Sequence, residues 1–332
     1  MKIVLLGLGF MGSVHARALG GRLAAVCSND PRQLAGDLSA VQGNLGDPVG
    51  HLDFSGVKKY SEIAPALADP EIEAVDLCLP THMHETVAIK ALRAGKHVLV
   101  EKPIALDGAG AHRMIAEAEA QGRVLMTAQV LRFMPEYIAL RDALKPLGPV
   151  RRACFHRRCA EPAWGGWLKD PALSGGGPFD LLIHDVDMCL HLFGNPEAVS
   201  ATGYTAAENG IDVITAELHY PDQGAVVVTG GWHHPKAYPF SMEYTVVADK
   251  GTMEFNSADR PPTLYRVDGT SQTLHLPGKD GYEAEIEYFI ACCREGREPV
   301  LCPPEESAAA VKLTRLMVEA RTENGGKIPC KL

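Results

Sequence analysis

Three side chains in this sequence have the functional groups needed to transfer a proton to or from an alcohol. Lys102 directly follows the predicted strand over residues 97–101, and lysine is among the residues least suited to burial. A partly desolvated lysine can exchange a proton with a hydroxyl near neutral pH. Asp180 and His184 lie four residues apart and add a carboxylate and an imidazole. We predict that these three residues are catalytic and contact the substrate, while the choice of Lys102 or His184 as the base stays open.

A predicted helix over residues 179–193 carries two of these groups. Steps of about 100° place Asp180, His184, Asp187 and His191 within an arc of roughly 60°, and most other positions are apolar. A solvated stripe would more typically carry Lys and Glu, so this one indicates the wall of a site. The alternative is that Asp180 caps the helix and the histidines are buried and hydrogen-bonded. Asp187 and His191 are also compatible with a purely structural role.

A glycine pattern lies between the first predicted strand and the first predicted helix. Gly7 permits a tight turn, Gly9 lets the backbone approach a pyrophosphate, and Gly12 allows close packing of helix on strand. The helix N-terminus offers N–H donors and a positive dipole to phosphates. We therefore predict a dinucleotide site whose first part consists of Gly7, Gly9, Phe10, Met11 and Gly12.

The end of the second predicted strand bears on which dinucleotide binds. NAD-binding sites usually place an acidic residue there to accept the ribose 2′-hydroxyl. In this sequence Ser28 occupies that place, Asn29 follows it, and Arg32 lies where it can meet a 2′-phosphate. Asp30 could still reach the ribose. These residues predict an NAD(P) cofactor with a weak preference for NADP.

Four motifs in this order resemble the glucose–fructose oxidoreductase, inositol dehydrogenase and rhizopine catabolism (Gfo/Idh/MocA) family. They are the glycine pattern at residues 7–12, Pro80-Thr81 followed by His84, Glu101-Lys102-Pro103, and the segment 175–187 that contains Gly175-Gly176-Gly177, Asp180 and His184. Together they span nearly the whole chain.

The resemblance implies a Rossmann domain, an open-faced antiparallel sheet, and oxidation of a sugar or cyclitol hydroxyl with NAD(P). It also implies a cis Lys102–Pro103 bond and places Thr81 and His84 near the nicotinamide ribose. On this basis the remaining cofactor contacts are expected at Leu79, Pro80, Thr81, His84, Glu101 and Lys102.

The order of predicted elements agrees with two domains. Strands alternate with helices over residues 1–128, as in a doubly wound parallel sheet, whereas residues 129–332 carry consecutive strands typical of a mostly antiparallel sheet with helices on one face. In this second part we expect aromatic walls for a sugar at Trp164 and Trp167, with Arg132 and Phe133 as further candidates. Each of these residues is equally compatible with a place in a core between the domains. Tyr282 is a predicted substrate contact.

Composition narrows the function class. The 332 residues are 46% hydrophobic and 22% charged with a net charge of −9, so nucleic acid and anionic membranes are not expected partners. Apolar runs are too short for a membrane span, and nine cysteines without a Cys-x-x-Cys pair fit a reduced, cytoplasmic protein. No metal site is expected. A homodimer or homotetramer through the open sheet face is predicted.

Other functions on the same fold remain open at this point. One is a glycosidase that retains NAD and oxidises its substrate transiently, and another is a regulatory protein that senses a nucleotide without turnover. Imine or biliverdin-type reduction is also compatible with the fold.

Overall fold

The computed structural model divides the chain into two compact units, each made of two chain segments. The first comprises Met1–Val130 and Asp280–Ala308, and the second Leu131–Lys279 and Ala309–Leu332. A single division between residues 128 and 129, as the sequence predicts, therefore differs from these units in assigning 280–308 to the second domain. The residues that the structure describes are 1–44, 50–206, 211–276, 278–323 and 325–332.

A parallel sheet forms the centre of the first unit. In the described part of this unit its strands are β1 (Ile3–Leu6), β2 (Leu23–Cys27), β3 (Lys58–Tyr60), β4 (Ala74–Leu77), β5 (His97–Glu101) and β6 (Leu125–Ala128). They lie in the order β3-β2-β1-β4-β5-β6, and every pair is parallel. This is the Rossmann order, in which ligands bind beyond the carboxyl ends of the strands near the β1–β4 switch point. The predicted doubly wound sheet is confirmed.

Helices connect these strands and cover the sheet. They are α1 (Phe10–Leu19), α2 (Pro31–Leu34), α3 (Ile63–Ala68), α4 (His84–Arg93) and α5 (Gly108–Gln121). Strands β1 and β4 are buried at every position, as expected for parallel strands covered on both faces. Glu62 holds the N-cap position of α3 and makes no side-chain hydrogen bond there.

A larger, mostly antiparallel sheet forms the second unit, as predicted. Its strands among the described residues are β7 (Val150–Ala160), β8 (Ala198–Ala206), β9 (Ile211–His219), β10 (Ala225–His234), β11 (Ser241–Ala248), β12 (Gly251–Asn256), β13 (Arg260–Arg266), β14 (Ser271–Thr273) and β15 (Ile328–Pro329). The order is β14-β13-β12-β11-β7-β10-β9-β8-β15. Only the β7–β10 pair is parallel in this described sheet.

Two of the remaining helices, over Pro135–Leu147 and Pro171–Ser174, were not predicted from the sequence. Their bounds are α6 (Pro135–Leu147), α7 (Pro171–Ser174), α8 (Ile183–Phe193), α9 (Gly281–Glu295) and α10 (Pro304–Thr322). The prediction missed α6. Pro146 lies in its last turn, and a proline inside a helix normally interrupts it. Helix α9 packs on α1 and β5 and so belongs to the first unit. No helix in the described part of the chain is long and apolar enough to cross a membrane.

Candidate active site

The glycine turn between β1 and α1 is shaped by contacts that exclude side chains. Gly7 has φ of 94°, and a Cβ there would lie 2.4 Å from the carbonyl oxygen of Cys78. A Cβ on Gly12 would lie 2.0 Å from the carbonyl oxygen of Gly7. A side chain at either position would collide with a backbone carbonyl oxygen, so both positions require glycine.

Gly9 differs from Gly7 and Gly12 because it faces open space. A Cβ built on it would meet no atom within 4 Å. Gly9 is the N-cap of α1, no side chain caps the helix, and no acidic residue lies in its first turn. Such a helix start presents backbone N–H groups and a positive dipole, which together suit a phosphate. This cradle fits the pyrophosphate of a dinucleotide.

The residues after β2 form a hydrogen-bonded turn. Ser28 is 8% exposed and donates its hydroxyl to Oε1 of Gln33 at 2.6 Å. Asp30 caps α2 by accepting the backbone N–H of Arg32 at 2.9 Å, and its second oxygen lies 3.1 Å from the guanidinium of Arg32. Because these bonds hold it, the pKa of Asp30 lies below its usual value. Asp30 is thus engaged locally, and the exposed guanidinium of Arg32 is the cation at this strand end.

His84 ties the ends of two neighbouring strands together. Its Nδ1 lies 2.8 Å from the carbonyl oxygen of Pro103 after β5, and its Nε2 lies 2.8 Å from that of Leu79 after β4. The ring is 1% exposed, and burial lowers its pKa. Thr81 beside it is also buried. A cofactor contact of His84 remains a prediction, and in the structure both ring nitrogens face backbone carbonyls.

Lys102 lies immediately beyond β5, at the carboxyl edge of the parallel sheet. Its backbone N–H donates to Oε2 of Glu101 at 3.0 Å, and the Lys102–Pro103 peptide bond is cis, as the family resemblance implies. The side chain of Lys102 is half-buried, whereas Glu101 is 6% exposed. The sheet edge therefore places a lysine where α/β folds bind ligands.

A buried cluster of titratable groups near Lys102 was not found from the sequence. It consists of His15 on α1, Asp76 on β4, Glu101 on β5 and Glu285 on α9. Tyr282, predicted to contact substrate, belongs to this unit, and its ring centroid lies 6.2 Å from that of His15. Burial raises the pKa of Tyr282. The sequence signal that could have revealed this cluster is the presence of acidic residues inside otherwise apolar segments.

A cavity of about 580 Å³ opens between α3 and α4 in the first unit. Apolar side chains such as Ile63, Leu67 and Val87 supply much of its lining, together with His82 and Met83, which follow Thr81. Among its described lining residues there is no predicted cofactor or substrate contact.

In the second unit, the helix carrying Asp180 and His184 begins with a π-helical turn over Pro178–Leu182 and continues as α8. The prediction of a single regular helix with uniform steps of 100° is therefore wrong at the first turn, because a π-turn bonds residue i to residue i+5. Gly175 and Gly176 precede it with positive φ, and a Cβ on Gly175 would strike the ring of Phe179. Both Asp180 and His184 are half-buried.

Asp187, another member of the predicted stripe, differs from this pair, whereas His191 is half-buried as they are. Asp187 is 1% exposed and accepts two hydrogen bonds from Arg132 at 2.8 and 2.6 Å. Arg132, considered as a substrate wall, is therefore a buried structural partner of Asp187. Asp185 is paired in the same way with Arg157, at 2.8 and 2.9 Å. The sequence pattern alone does not show which acids of this segment bind arginine.

The two predicted aromatic walls lie on one apolar cluster. Trp164 and Trp167 are partly buried and pack against Cys159, Leu168, Leu181 and Trp232. Trp232 also faces the glycine turn, since a Cβ on Gly177 would lie 3.4 Å from its ring. Each tryptophan thus has one part on the core, and its contact with substrate remains a prediction.

The predicted site residues therefore fall into two groups. The glycine turn, the loops after β2, β4 and β5, and Tyr282 lie in the first unit, with Lys102 among them. Asp180, His184, Trp164 and Trp167 lie in the second.

Comparisons with known proteins cover both units. A family model described as "Oxidoreductase family, NAD-binding Rossmann fold" matches residues 1–129, and the GFO/IDH/MocA C-terminal domain model matches residues 139–254. A scyllo-inositol 2-dehydrogenase (NADP(+)) of Bacillus subtilis is 29% identical over 87% of this chain and 89% of that protein. Inositol 2-dehydrogenase 2 of Saccharopolyspora erythraea is 31% identical over 89% and 86%. The crystal structure of aldose-aldose oxidoreductase from Caulobacter crescentus shares the fold, with a TM-score of 0.82, 22% identity and 99% coverage of both chains.

Proposed function

Because this chain belongs to the Gfo/Idh/MocA oxidoreductase family, we propose that it is an NAD(P)-dependent dehydrogenase acting on a hydroxyl carbon of a sugar, cyclitol or related polyol. The observation that carries the proposal is the open cradle at Gly9 on the same sheet edge as Lys102. Relatives named as inositol dehydrogenases support the substrate class.

The proposed chemistry is a balanced two-electron oxidation. When bound, the nicotinamide supplies a hydride acceptor for the substrate carbon. Lys102 or His184 takes the hydroxyl proton, leaving a carbonyl product, and Asp180 orients the hydroxyl or holds His184. This requires Lys102 of the first unit to meet Asp180 and His184 of the second, which is part of the proposal. Gly7, Gly9, Gly12 and the N-terminus of α1 would hold the pyrophosphate.

We also propose a preference for NADP. Ser28 offers a hydroxyl where NAD sites have an acid, and the guanidinium of Arg32 is exposed at the same strand end. Losing a hydrogen bond to a charged group costs about 1.5–3 kcal/mol, so Arg32→Ala should weaken NADP binding about 10- to 100-fold. NAD binding should change little. A wild-type protein that uses NAD more efficiently than NADP would refute this preference.

The function is tested with a panel of inositols, sugars and sugar acids, each with NAD and NADP, by following absorbance of the reduced nicotinamide. Turnover of one polyol class above the others is the expected result. A nucleotide that stays tightly bound while a glycosidic bond is cleaved without net reduction would indicate the glycosidase alternative. Binding of nucleotide with no turnover of any substrate would contradict the dehydrogenase proposal.

We propose that the chain forms a homodimer or homotetramer through the sheet of the second unit. Residues along β11 and β12 alternate between buried and half-buried, so one sheet face is only partly covered within the chain. Light scattering of the purified protein would test this, and a monomer at all concentrations would contradict it.

A further inference from the structure

Four acidic or basic side chains are buried together beneath the carboxyl ends of β4 and β5. His15 and Glu285 are 0% exposed, Asp76 is 1% and Glu101 is 6% exposed. The proposed mechanism assigns none of them a chemical step. Buried charges cost free energy unless they are paired and hydrogen-bonded, so this arrangement needs a physical explanation.

His15 bridges two carboxylates. Its Nδ1 lies 2.9 Å from Oδ2 of Asp76 in a hydrogen bond. Its Nε2 lies 3.0 Å from Oε1 of Glu101, an ion-pair distance without hydrogen-bond alignment. A neutral imidazole has one N–H donor, so carboxylates at both nitrogens favour the imidazolium. Burial opposes that charge, but the charges and hydrogen bonds of Asp76 and Cys78 together outweigh it, and the pKa of His15 is raised well above its usual value.

Glu101 connects this bridge to Lys102. Its Oε1 faces His15, while its Oε2 accepts the backbone N–H of Lys102 at 3.0 Å. Burial opposes its ionisation, but His15, with smaller contributions from Lys102 and His84, outweighs burial and lowers the pKa of Glu101. His15 is on α1, whose N-terminus forms the glycine turn. Ionic and hydrogen-bonding contacts therefore run from the cofactor-binding helix to the peptide of Lys102.

Glu285 completes the cluster in a different state. Its Oε1 lies 3.8 Å from Nε2 of His15, and neither carboxylate oxygen has a hydrogen-bond partner among the described residues. Burial raises the pKa of Glu285 well above its usual value, which favours the protonated, neutral carboxyl. The imidazolium is thus offset by Asp76 and Glu101. Other titratable groups that act on the cluster are Cys78, His84, Lys102, Asp280 and Tyr282.

We propose that His15 is a positioning residue for Lys102: it fixes the carboxylate of Glu101, which in turn fixes the backbone N–H of Lys102 relative to α1. This inference rests on the proposed function, because it takes Lys102 to be the group that meets the substrate. A displacement of about 1 Å at a reacting group can lower turnover about 10²-fold, so a fixed Lys102 peptide matters for rate.

A bound cation is the competing explanation for the same residues. Donor atoms of His15, Cys78 and Glu101 lie within 4.8 Å of one another, and these residue types ligate zinc. Burial, however, raises the pKa of the Cys78 thiol, which donates to Oδ1 of Asp76 at 3.6 Å. The direct ion pairs of His15 account for the geometry without a metal.

Two substitutions separate the two halves of the bridge. In His15→Gln the amide nitrogen can take the place of Nε2 and still reach Glu101, whereas in His15→Asn it takes the place of Nδ1 and reaches Asp76 only. We expect His15→Asn to lower kcat about 10²-fold, with KM and the cofactor Kd unchanged, and His15→Gln to recover much of that loss. Equal kcat losses in both variants would overturn the proposal.

Amide hydrogen exchange at Lys102 gives a readout that does not depend on activity. Exchange should be faster in His15→Asn than in wild type and close to wild type in His15→Gln. The control is His97→Gln, which removes the hydrogen bond from the N–H of Val124 at the other end of β5 and should leave exchange at Lys102 and kcat unchanged.

The outcomes distinguish this inference from the proposed function. If the wild type oxidises no polyol, the proposed function fails, while exchange at Lys102 still decides whether His15 fixes its peptide. If the wild type is active and exchange at Lys102 is the same in all variants, the positioning role fails alone. A stoichiometric metal ion in the purified protein, removed by a chelator with loss of activity, would also overturn it.

Discussion

The substitution Gly9→Ala separates cofactor binding from folding. Gly9 has φ of −71° and ψ of −161°, which alanine can adopt, and its Cβ would meet no protein atom within 4 Å. Replacing glycine restricts the unfolded chain, which stabilises by about 0.4–1 kcal/mol. Alanine is a poorer N-cap than glycine, at a cost of similar size. The free energy of unfolding should therefore stay close to that of the wild type.

Cofactor affinity should fall because the added methyl group occupies the approach to the helix N-terminus. A backbone N–H bonds a phosphate oxygen at about 2.9 Å, whereas a carbon atom needs about 3.5–4.0 Å. The phosphate must move outward, and one charge-assisted bond is worth about 1.5–3 kcal/mol. The Kd for NAD(P) should rise about 10- to 100-fold for each bond lost.

Two further glycines on or next to the same helix serve as references. Gly12→Ala would put a Cβ 2.0 Å from the carbonyl oxygen of Gly7, so the backbone must shift at a cost of about 1–3 kcal/mol of stability. Gly21→Ala, after the other end of α1, also has no atom within 4 Å and should change neither property.

The assay combines urea unfolding with calorimetric or fluorescence titration of the cofactor. Gly9→Ala should have the wild-type unfolding midpoint and a weakened Kd, and Gly12→Ala a lowered midpoint. Wild-type affinity in Gly9→Ala would refute the placement of the pyrophosphate at this turn.

The other predictions concern the proposed catalytic lysine, a buried ion pair and a buried carboxyl group. Lys102→Ala should lower turnover about 10²- to 10⁴-fold while cofactor titration stays normal, and retained turnover would remove Lys102 from the mechanism. Asp187→Asn removes the carboxylate charge that faces the buried guanidinium of Arg132, which should cost about 3–5 kcal/mol by urea unfolding, whereas the exposed Asp142→Asn should cost no more than about 1 kcal/mol; equal effects would contradict the pairing. Glu285 is protonated in the folded state at pH values where the unfolded chain has lost that proton, so its contribution to stability falls as pH rises above about 4.5. Glu285→Gln should flatten this decline by about 1.4 kcal/mol per pH unit between the unfolded and folded pKa values, and an unchanged slope would show that another group titrates.

Local patterns in the sequence were sufficient to predict both sheets and the place of the glycine turn. Apolar segments of four or five residues separated by helices specify a parallel sheet, and the carboxyl end of such a strand is an open edge. Lys102 could therefore be placed at that edge before the structure was known. Helix α6 was missed because Pro146 and Gly148 indicate a loop when only neighbouring residues are considered.

The roles of individual acids and histidines could not be predicted from the sequence, because they depend on which residues each one contacts. In the sequence, Asp187 and Asp180 look equivalent, but Arg132 neutralises Asp187 from 55 residues away. His84 was predicted from the family resemblance to lie at the ribose, and its contacts to the carbonyls of Leu79 and Pro103 depend on two adjacent strand ends. The π-turn before α8 also could not be read from an average helical period.

The sequence by itself determined which residues can adopt a left-handed turn, which segments must be buried and where a lysine follows a strand, because these depend on neighbouring residues alone. The tertiary structure decided which charges are compensated. His15 and Asp76 are 61 residues apart in the chain, and the electrostatic free energy of each depends on a contact that only the packed sheet and helices create.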